Sequence, residues 1–235
     1  MRIAMWSGPR NLSTAMMYAF GNRADCAVWD EPFYAPYLAA TGLEHPMADE
    51  ILDQHENDPK VVADQCIDTI PDKKPHFYMK HMPHHMIDGF PLDWASQCIN
   101  VHLIRHPARV IASYHAKRDD LTLDDIGFVQ QVKLRDEIGG FVVDSAEIRN
   151  APDIAIPALC DAVGMAFDPA MLTWPKGPRP FDGVWAKHWY GSVHESTGFA
   201  PEQRTLPNLT GRRAALCEQA MPFYDKLKSS CLPLT

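Results

Sequence analysis

Residues 3–20 read IAMWSGPRNLSTAMMYAF, a short apolar run that breaks at Ser7-Gly8-Pro9 and resumes as a helix-forming stretch at Ser13. Ile3 to Trp6 has the length and composition of a buried strand, and Ser13 to Phe20 opens on hydroxyl residues that cap a helix. A strand running through a tight loop into a helix aims several backbone N–H groups, with the positive end of the helix dipole, at one point. That point suits an oxyanion such as phosphate or sulfate. Arg10 adds a fixed charge with five donors, and Ser13 and Thr14 add hydroxyls. The loop is not a Walker A motif: counting from Gly8, Ser13 stands where the second glycine is required and Thr14 where lysine is required. This disfavours an ATP or GTP hydrolase. The absence of G-x-G-x-x-G disfavours a dinucleotide oxidoreductase.

Outward from this unit, four more short runs are bounded by turn or capping residues: Cys26 to Trp29, Phe77 to Met79, Ile99 to Ile104 and Phe141 to Val143. Several intervening stretches are long enough for crossover helices, which predicts an α/β fold with a mostly parallel central sheet flanked by helices. Pro107 to Lys117 reads as a helix with proline at its start. The segment 41–75, with a helix near Val61 to Ile70, reads as a lid or acceptor-side excursion from a single domain spanning 1–235. WPKGPRPFDG, residues 174–183, excludes regular structure. Arg212 to Cys231 has near-helical apolar spacing, with Pro222 expected to kink it or start a new helix.

Composition narrows the class. Of 235 residues, 46% are hydrophobic and 22% charged, which suits one globular core. A formal net charge of -8 argues against wrapping nucleic acid, so any anion site is local. The six cysteines form no C-x-x-C pair, as expected of a chain in a reducing cytoplasm. The N-terminus lacks the unbroken apolar core of a signal peptide, and no apolar run approaches the roughly 20 residues of a membrane span.

A second anion site is suggested where Arg105 ends the strand Ile99 to Ile104. His106-Pro107 then starts a helix on which Arg109 and Ser113 share a face. The two segments together, in this order, resemble the sulfotransferase family that uses 3'-phosphoadenosine 5'-phosphosulfate (PAPS). The family's loop after strand one has the form P-[KR]-S-G-[ST]-T and holds the 5'-phosphosulfate; here it reads Pro9-Arg10-Asn11-Leu12-Ser13-Thr14, with Asn11-Leu12 in place of Ser-Gly. The family's Arg and, eight residues later, Ser on the 3'-phosphate are matched by Arg105 and Ser113. The resemblance covers the first half of the chain well and the final third weakly. It implies a P-loop nucleotide-hydrolase-like sulfotransferase architecture of the small bacterial type. It also implies a PAPS donor, transfer to the hydroxyl or amine of a small acceptor, and no metal. A late basic and aromatic segment closes over the nucleotide in the family, which implies that Lys187, beside Trp185 and Trp189, meets the 3'-phosphate.

Sulfuryl transfer, treated by analogy with phosphoryl transfer, rests on positioning and positive charge. The resemblance gives Arg10 the role of stabilising the leaving phosphate and the sulfuryl oxygens. A base must take the acceptor proton, and two residues stand at strand ends: Glu31 in WDEPF and His81 in YMKHMP. Each matches the base of a different branch of the family. His81 is preferred because an imidazole titrates near neutral pH without tuning, Glu31 then orienting the acceptor. Lys80 and His81, adjacent on a strand, point to opposite faces, so only one faces the donor. The HMPHH run is not read as a metal site, because Pro83 interrupts it and no Cys or paired acid is near. Phe33, Tyr34 and Tyr37 are candidates to line an acceptor pocket. Two other readings are a nucleotide-binding relative without transferase activity and a small-molecule P-loop kinase, for which the loop lacks Gly-Lys.

Overall fold

The computed structural model of the chain describes residues 1–115 and 120–234. Five strands, β1 (Arg2–Ser7), β2 (Cys26–Asp30), β3 (His76–His81), β4 (Ile99–Ile104) and β5 (Phe141–Asp144), form one sheet in the order β2-β3-β1-β4-β5. Every pairing in it is parallel, with Met5 opposite Lys80 and Ser7 opposite Leu103 across the centre. The connections supply helices α1 (Ser13–Gly21), α2 (Tyr34–Thr41), α3 (Ala48–Gln54), α4 (Pro59–Ile67), α5 (Pro107–His115), α6 (Phe128–Ile138), α7 (Ser145–Asn150), α8 (Pro152–Ala162), α9 (Ala186–Trp189), α10 (Gly191–His194) and α11 (Arg212–Lys228).

Strand periodicity sorts the core into two layers. Ile3 and Met5 join Tyr78, Leu103 and Val143 beneath α1 and α8. Ala4 and Trp6 join Phe77 and Met79 beneath α4, while Ile104 and Val142 on the same side meet α5, α6 and α11. Fully burying an aliphatic or aromatic side chain contributes about 1.5–3 kcal/mol, so the three central strands β3, β1 and β4, buried on both faces, are heavily anchored. The chain passes from β1 to β2 and back through β3 on one side, then crosses to β4 and β5 on the other. In such sheets the crevice beyond the carboxyl ends opens where the direction reverses, here beside β1.

The α/β sheet expected from the sequence is present, with strand ends shifted by one or two residues. The helix expected at Val61–Ile70 is α4, started by Pro59 and capped by Asp58, whose side chain accepts from the Lys60 N–H at 2.8 Å. Of the helix expected at Pro107–Lys117, α5 covers Pro107–His115 and Lys117 lies outside the described residues. Pro222 does not divide the last helix: α11 runs through it. Pro222 and Glu218, whose carbonyl loses its partner there, are both exposed, while Leu216, Ala220, Tyr224 and Leu227 hold the buried face. Among the described residues no helix is long and apolar enough to cross a membrane.

Candidate functional site

A cavity of about 370 Å³ opens beyond the carboxyl ends of the strands, and every residue from Pro9 to Thr14 lines it. The loop is shaped by close packing. A Cβ at Gly8 would lie 2.8 Å from the Ile126 carbonyl oxygen, so only glycine fits beneath that segment. Arg10 adopts a left-handed φ of 56°, whereas Leu12 sits at φ -109°, open to any L-residue. The loop therefore needs no glycine at position 12. Asn11 clamps it instead: its Nδ2 donates to the Leu103 carbonyl at 2.8 Å and its Oδ1 accepts from the Leu12 N–H at 2.9 Å. Leu12 makes no side-chain cap to α1, whose first-turn N–H groups have no intrahelical acceptors.

Sheet order polarises the cavity. On the β4–β5 side stand Arg105, just past β4, and Arg149 from α7, with Arg10 from the central loop beside them. Arg10 Nε donates to Ser113 Oγ at 3.2 Å, and Arg105 Nη1 donates to the Arg10 carbonyl at 2.8 Å. Burial, followed by the charge of Arg105, pushes the pKa values of Arg10 and Arg149 down. Cations crowded in this way favour an anion among them. Buried Glu202 supplies one internal counter-charge: its Oε1 accepts from Arg105 Nε at 2.9 Å and from Arg149 Nη1 at 3.0 Å, and its Oε2 lies 3.4 Å from Arg109 Nε.

The β2–β3 side carries Glu31 and Lys80. Glu31 follows β2 with φ 43°, so two of the five non-glycine residues with positive φ among those described, Arg10 and Glu31, flank this cavity. Such backbone strain persists only where surrounding structure enforces it, and it collects at functional sites. Lys80, 1% exposed, donates to Asp30 Oδ1 at 3.0 Å, to Tyr190 Oη at 2.6 Å and to Glu31 Oε1. Asp30 also accepts from the Tyr190 hydroxyl at 2.8 Å and from the Gly183 N–H at 3.1 Å. Two carboxylates thus share one ammonium, and Asp30 holds the better set of donors. Glu31 is the surplus acid, its pKa raised by burial despite Lys80. Burial alone would lower the Lys80 pKa, but Asp30 and Glu31 outweigh it and raise it. The Oε2 of Glu31 lies 4.0 Å from His85 Nδ1.

The family model of a sulfotransferase domain matches residues 1–231. The chain belongs to the sulfotransferase-domain family. Two Arabidopsis thaliana proteins, branched-chain-amino-acid aminotransferase-like proteins 1 and 2, are 36% and 34% identical to it over 97% and 96% of its length. The chain spans 41% of the length of each. Among solved structures it is similar to the sulfotransferase domain from the curacin biosynthetic pathway, with a TM-score of 0.60 at 15% identity, covering 98% of both chains. The sulfotransferase domain of the Synechococcus PCC 7002 olefin synthase gives 0.58 at 16% identity, covering 99% of this chain and 96% of that one. At such identities the likeness is one of fold.

Within this sulfotransferase domain the expected site residues fall into two groups. Arg10, Arg105, Ser113 and Glu31 meet at the cavity with the loop. His81 does not, and the preference for it as base is corrected here. Odd-numbered β3 residues face the other layer, so His81 stacks on Trp6 with ring centroids 4.6 Å apart and packs against Trp94 and Phe33. Burial drives its pKa down to about 3. Lys80 is the strand residue that faces the cavity. Lys187 is also absent from the lining: its side chain is 73% exposed and lies 3.3 Å from Glu50, while Trp189 and Tyr190 of the same segment line the site. Of the aromatics, Tyr34 lines the cavity, whereas Phe33 belongs to the opposite layer.

Asp30, Tyr190, Arg149 and Glu202 escaped sequence reasoning as members of the site. Arg149 follows a strand end closely, a signal that could have marked it. Tyr190 and Glu202 come from irregular segments whose approach only tertiary packing fixes.

Proposed function

We propose that the chain transfers the sulfuryl group of PAPS to the hydroxyl or amine of a small acceptor, with Glu31 as the base. The observation carrying this reading is the charge order of one cavity, with Arg10, Arg105 and Arg149 on one side and a surplus carboxyl on the other. The loop amides, Ser13 and Thr14 hold the 5'-phosphosulfate, Arg10 stabilises its developing charge, and Arg105 with Ser113 holds the 3'-phosphate. Glu31 takes the acceptor proton as the acceptor atom bonds to sulfur and the bond from sulfur to the 5'-phosphate oxygen breaks. Burial raises the Glu31 pKa, which makes the carboxylate a stronger base than a solvated one. His45, from the segment 41–75, reaches the cavity, which supports that segment as the acceptor-side excursion. All six cysteines are free, which fits a cytoplasmic setting.

Calorimetric titration of metal-free protein with adenosine 3',5'-bisphosphate (PAP), the product left after transfer, tests the donor. PAP is expected to bind tightly and AMP weakly. No binding, or a preference for ATP with magnesium, refutes the reading in favour of the kinase or of a degenerate site.

A further inference from the structure

The half of the cavity away from the arginines has a chemistry that restricts what enters it. The three N–H donors of Lys80 are taken by Asp30, Glu31 and Tyr190, so the ammonium has none left for a ligand. Imidazoles and a phenol also line this side, at His45, His84, His85 and Tyr34. His85 is stacked between Tyr34 and Tyr37, with centroids 4.6 Å and 4.9 Å away, and the Tyr34 hydroxyl lies 3.0 Å from His45 Nδ1. Burial keeps His84 and His85 uncharged, with the His84 pKa pushed down to about 4 and that of His85 well below the imidazole range. The Nδ1 atoms of both rings are buried without a hydrogen-bond partner, that of His85 lying 4.0 Å from Glu31 Oε2.

We propose that the β2–β3 end of the cavity, walled by Tyr34, His45, Met82, His84 and His85 around Glu31, is an acceptor site that admits hydroxyl compounds carrying no negative charge. The proposal rests on the sulfuryl-transfer reading, which commits Arg10 and Arg105 to the donor, while Arg149 is held by Glu202 and the carbonyls of Ala200 and Pro201. With those cations engaged, an anionic acceptor would lie beside a surplus carboxyl with no counter-ion, and burying an uncompensated charge is strongly unfavourable. A neutral hydroxyl compound meets no such penalty. A cationic one gains from the charge of Glu31.

Three para-substituted phenols of similar size read the charge rule directly: tyramine, para-ethylphenol and para-hydroxyphenylacetate. Their affinities are measured by ligand-observed NMR titration on nucleotide-free and PAP-loaded protein. Tyramine and para-ethylphenol are expected to bind at least about tenfold more tightly than para-hydroxyphenylacetate in the loaded protein. In Glu31→Gln, where Lys80 keeps Asp30, the gap is expected to close to within about threefold. Equal binding of the anionic phenol by the parent, an undiminished gap in Glu31→Gln, or no binding of either favoured phenol overturns the proposal. Failure of PAP itself to bind refutes sulfuryl transfer, while the nucleotide-free titrations still read the charge preference of the pocket.

Discussion

Replacing Lys80 by methionine tests the site where stability and chemistry meet. Among the described residues the ammonium is the one cation bonded to both Asp30 and Glu31, at 1% exposure. Its removal leaves Asp30 with the Tyr190 hydroxyl and the Gly183 N–H, but deprives Glu31 of its counter-charge. Breaking a buried pair by deleting one partner costs about 3–5 kcal/mol. At roughly 2–4 °C per kcal/mol for a chain of this size, the melting temperature should fall by about 6–20 °C. The Glu31 pKa, already raised by burial, should rise further without Lys80, so the carboxyl holds its proton at neutral pH. Turnover should drop by about 10²–10⁴-fold, the usual contribution of a general base, and the acid limb of the pH–rate profile should move to higher pH. PAP affinity should hold, because the arginines lie on the other side of the cavity. Calorimetry for melting and nucleotide binding, with PAP release from PAPS for turnover, reads all three. A melting temperature within about 2 °C of the parent, or turnover preserved at neutral pH, would refute the assignment of Lys80 as the charge that keeps Glu31 usable.

Arg105→Ala should weaken binding of 3'-phosphorylated nucleotides by about 1.5–3 kcal/mol, or roughly 10- to 150-fold, and leave AMP unaffected; equal PAP affinity in mutant and parent would exclude Arg105 from the 3'-phosphate. Gly8→Ala should destabilise the chain by about 1–3 kcal/mol and weaken PAP binding, because its Cβ meets the Ile126 carbonyl at 2.8 Å; denaturant melts check this, and an unchanged midpoint contradicts it. Acid should destabilise the fold through His81 and His102, buried as neutral rings with pKa values pushed down by burial to about 3 and about 4. Unfolded, both titrate near ~6.5, so between those values the unfolded state binds more protons and stability falls as pH falls. At pH ~5 each ring accounts for about 2 kcal/mol, to which the likewise buried, neutral His84 and His85 add their own loss; His81→Phe, which suits the contacts with Trp6 and Trp94, should remove only the ~2 kcal/mol that belongs to His81; melting temperatures across the pH range decide it, and an unaltered slope would show that His81 is not one of the titrating groups.

The strand–loop–helix at residues 3–20, the four further apolar runs and the parallel sheet were all legible in the sequence. Short strands buried on both faces are nearly uniform in polarity, so local composition suffices to find them. The basic loop and Arg105 with Ser113 were legible for a related reason: each charge sits within a few residues of a strand end, and parallel strands deliver their carboxyl ends to one crevice. Helices α2, α6, α7 and α8 were not read, and helices this short take most of their stability from tertiary packing rather than from their own sequence.

Strand alternation determined from sequence alone that Lys80 and His81 face opposite ways. Which of the two faces closes the site depends on what covers each one. Trp6, Trp94 and Phe33 fill the layer around His81, while Tyr190 arrives from 110 residues away to hold Lys80. Glu202 likewise crosses 97 residues to reach Arg105. Chemistry carried by strand ends was written locally, whereas the partners that tune its charges come from distant segments whose approach only the packed structure decides.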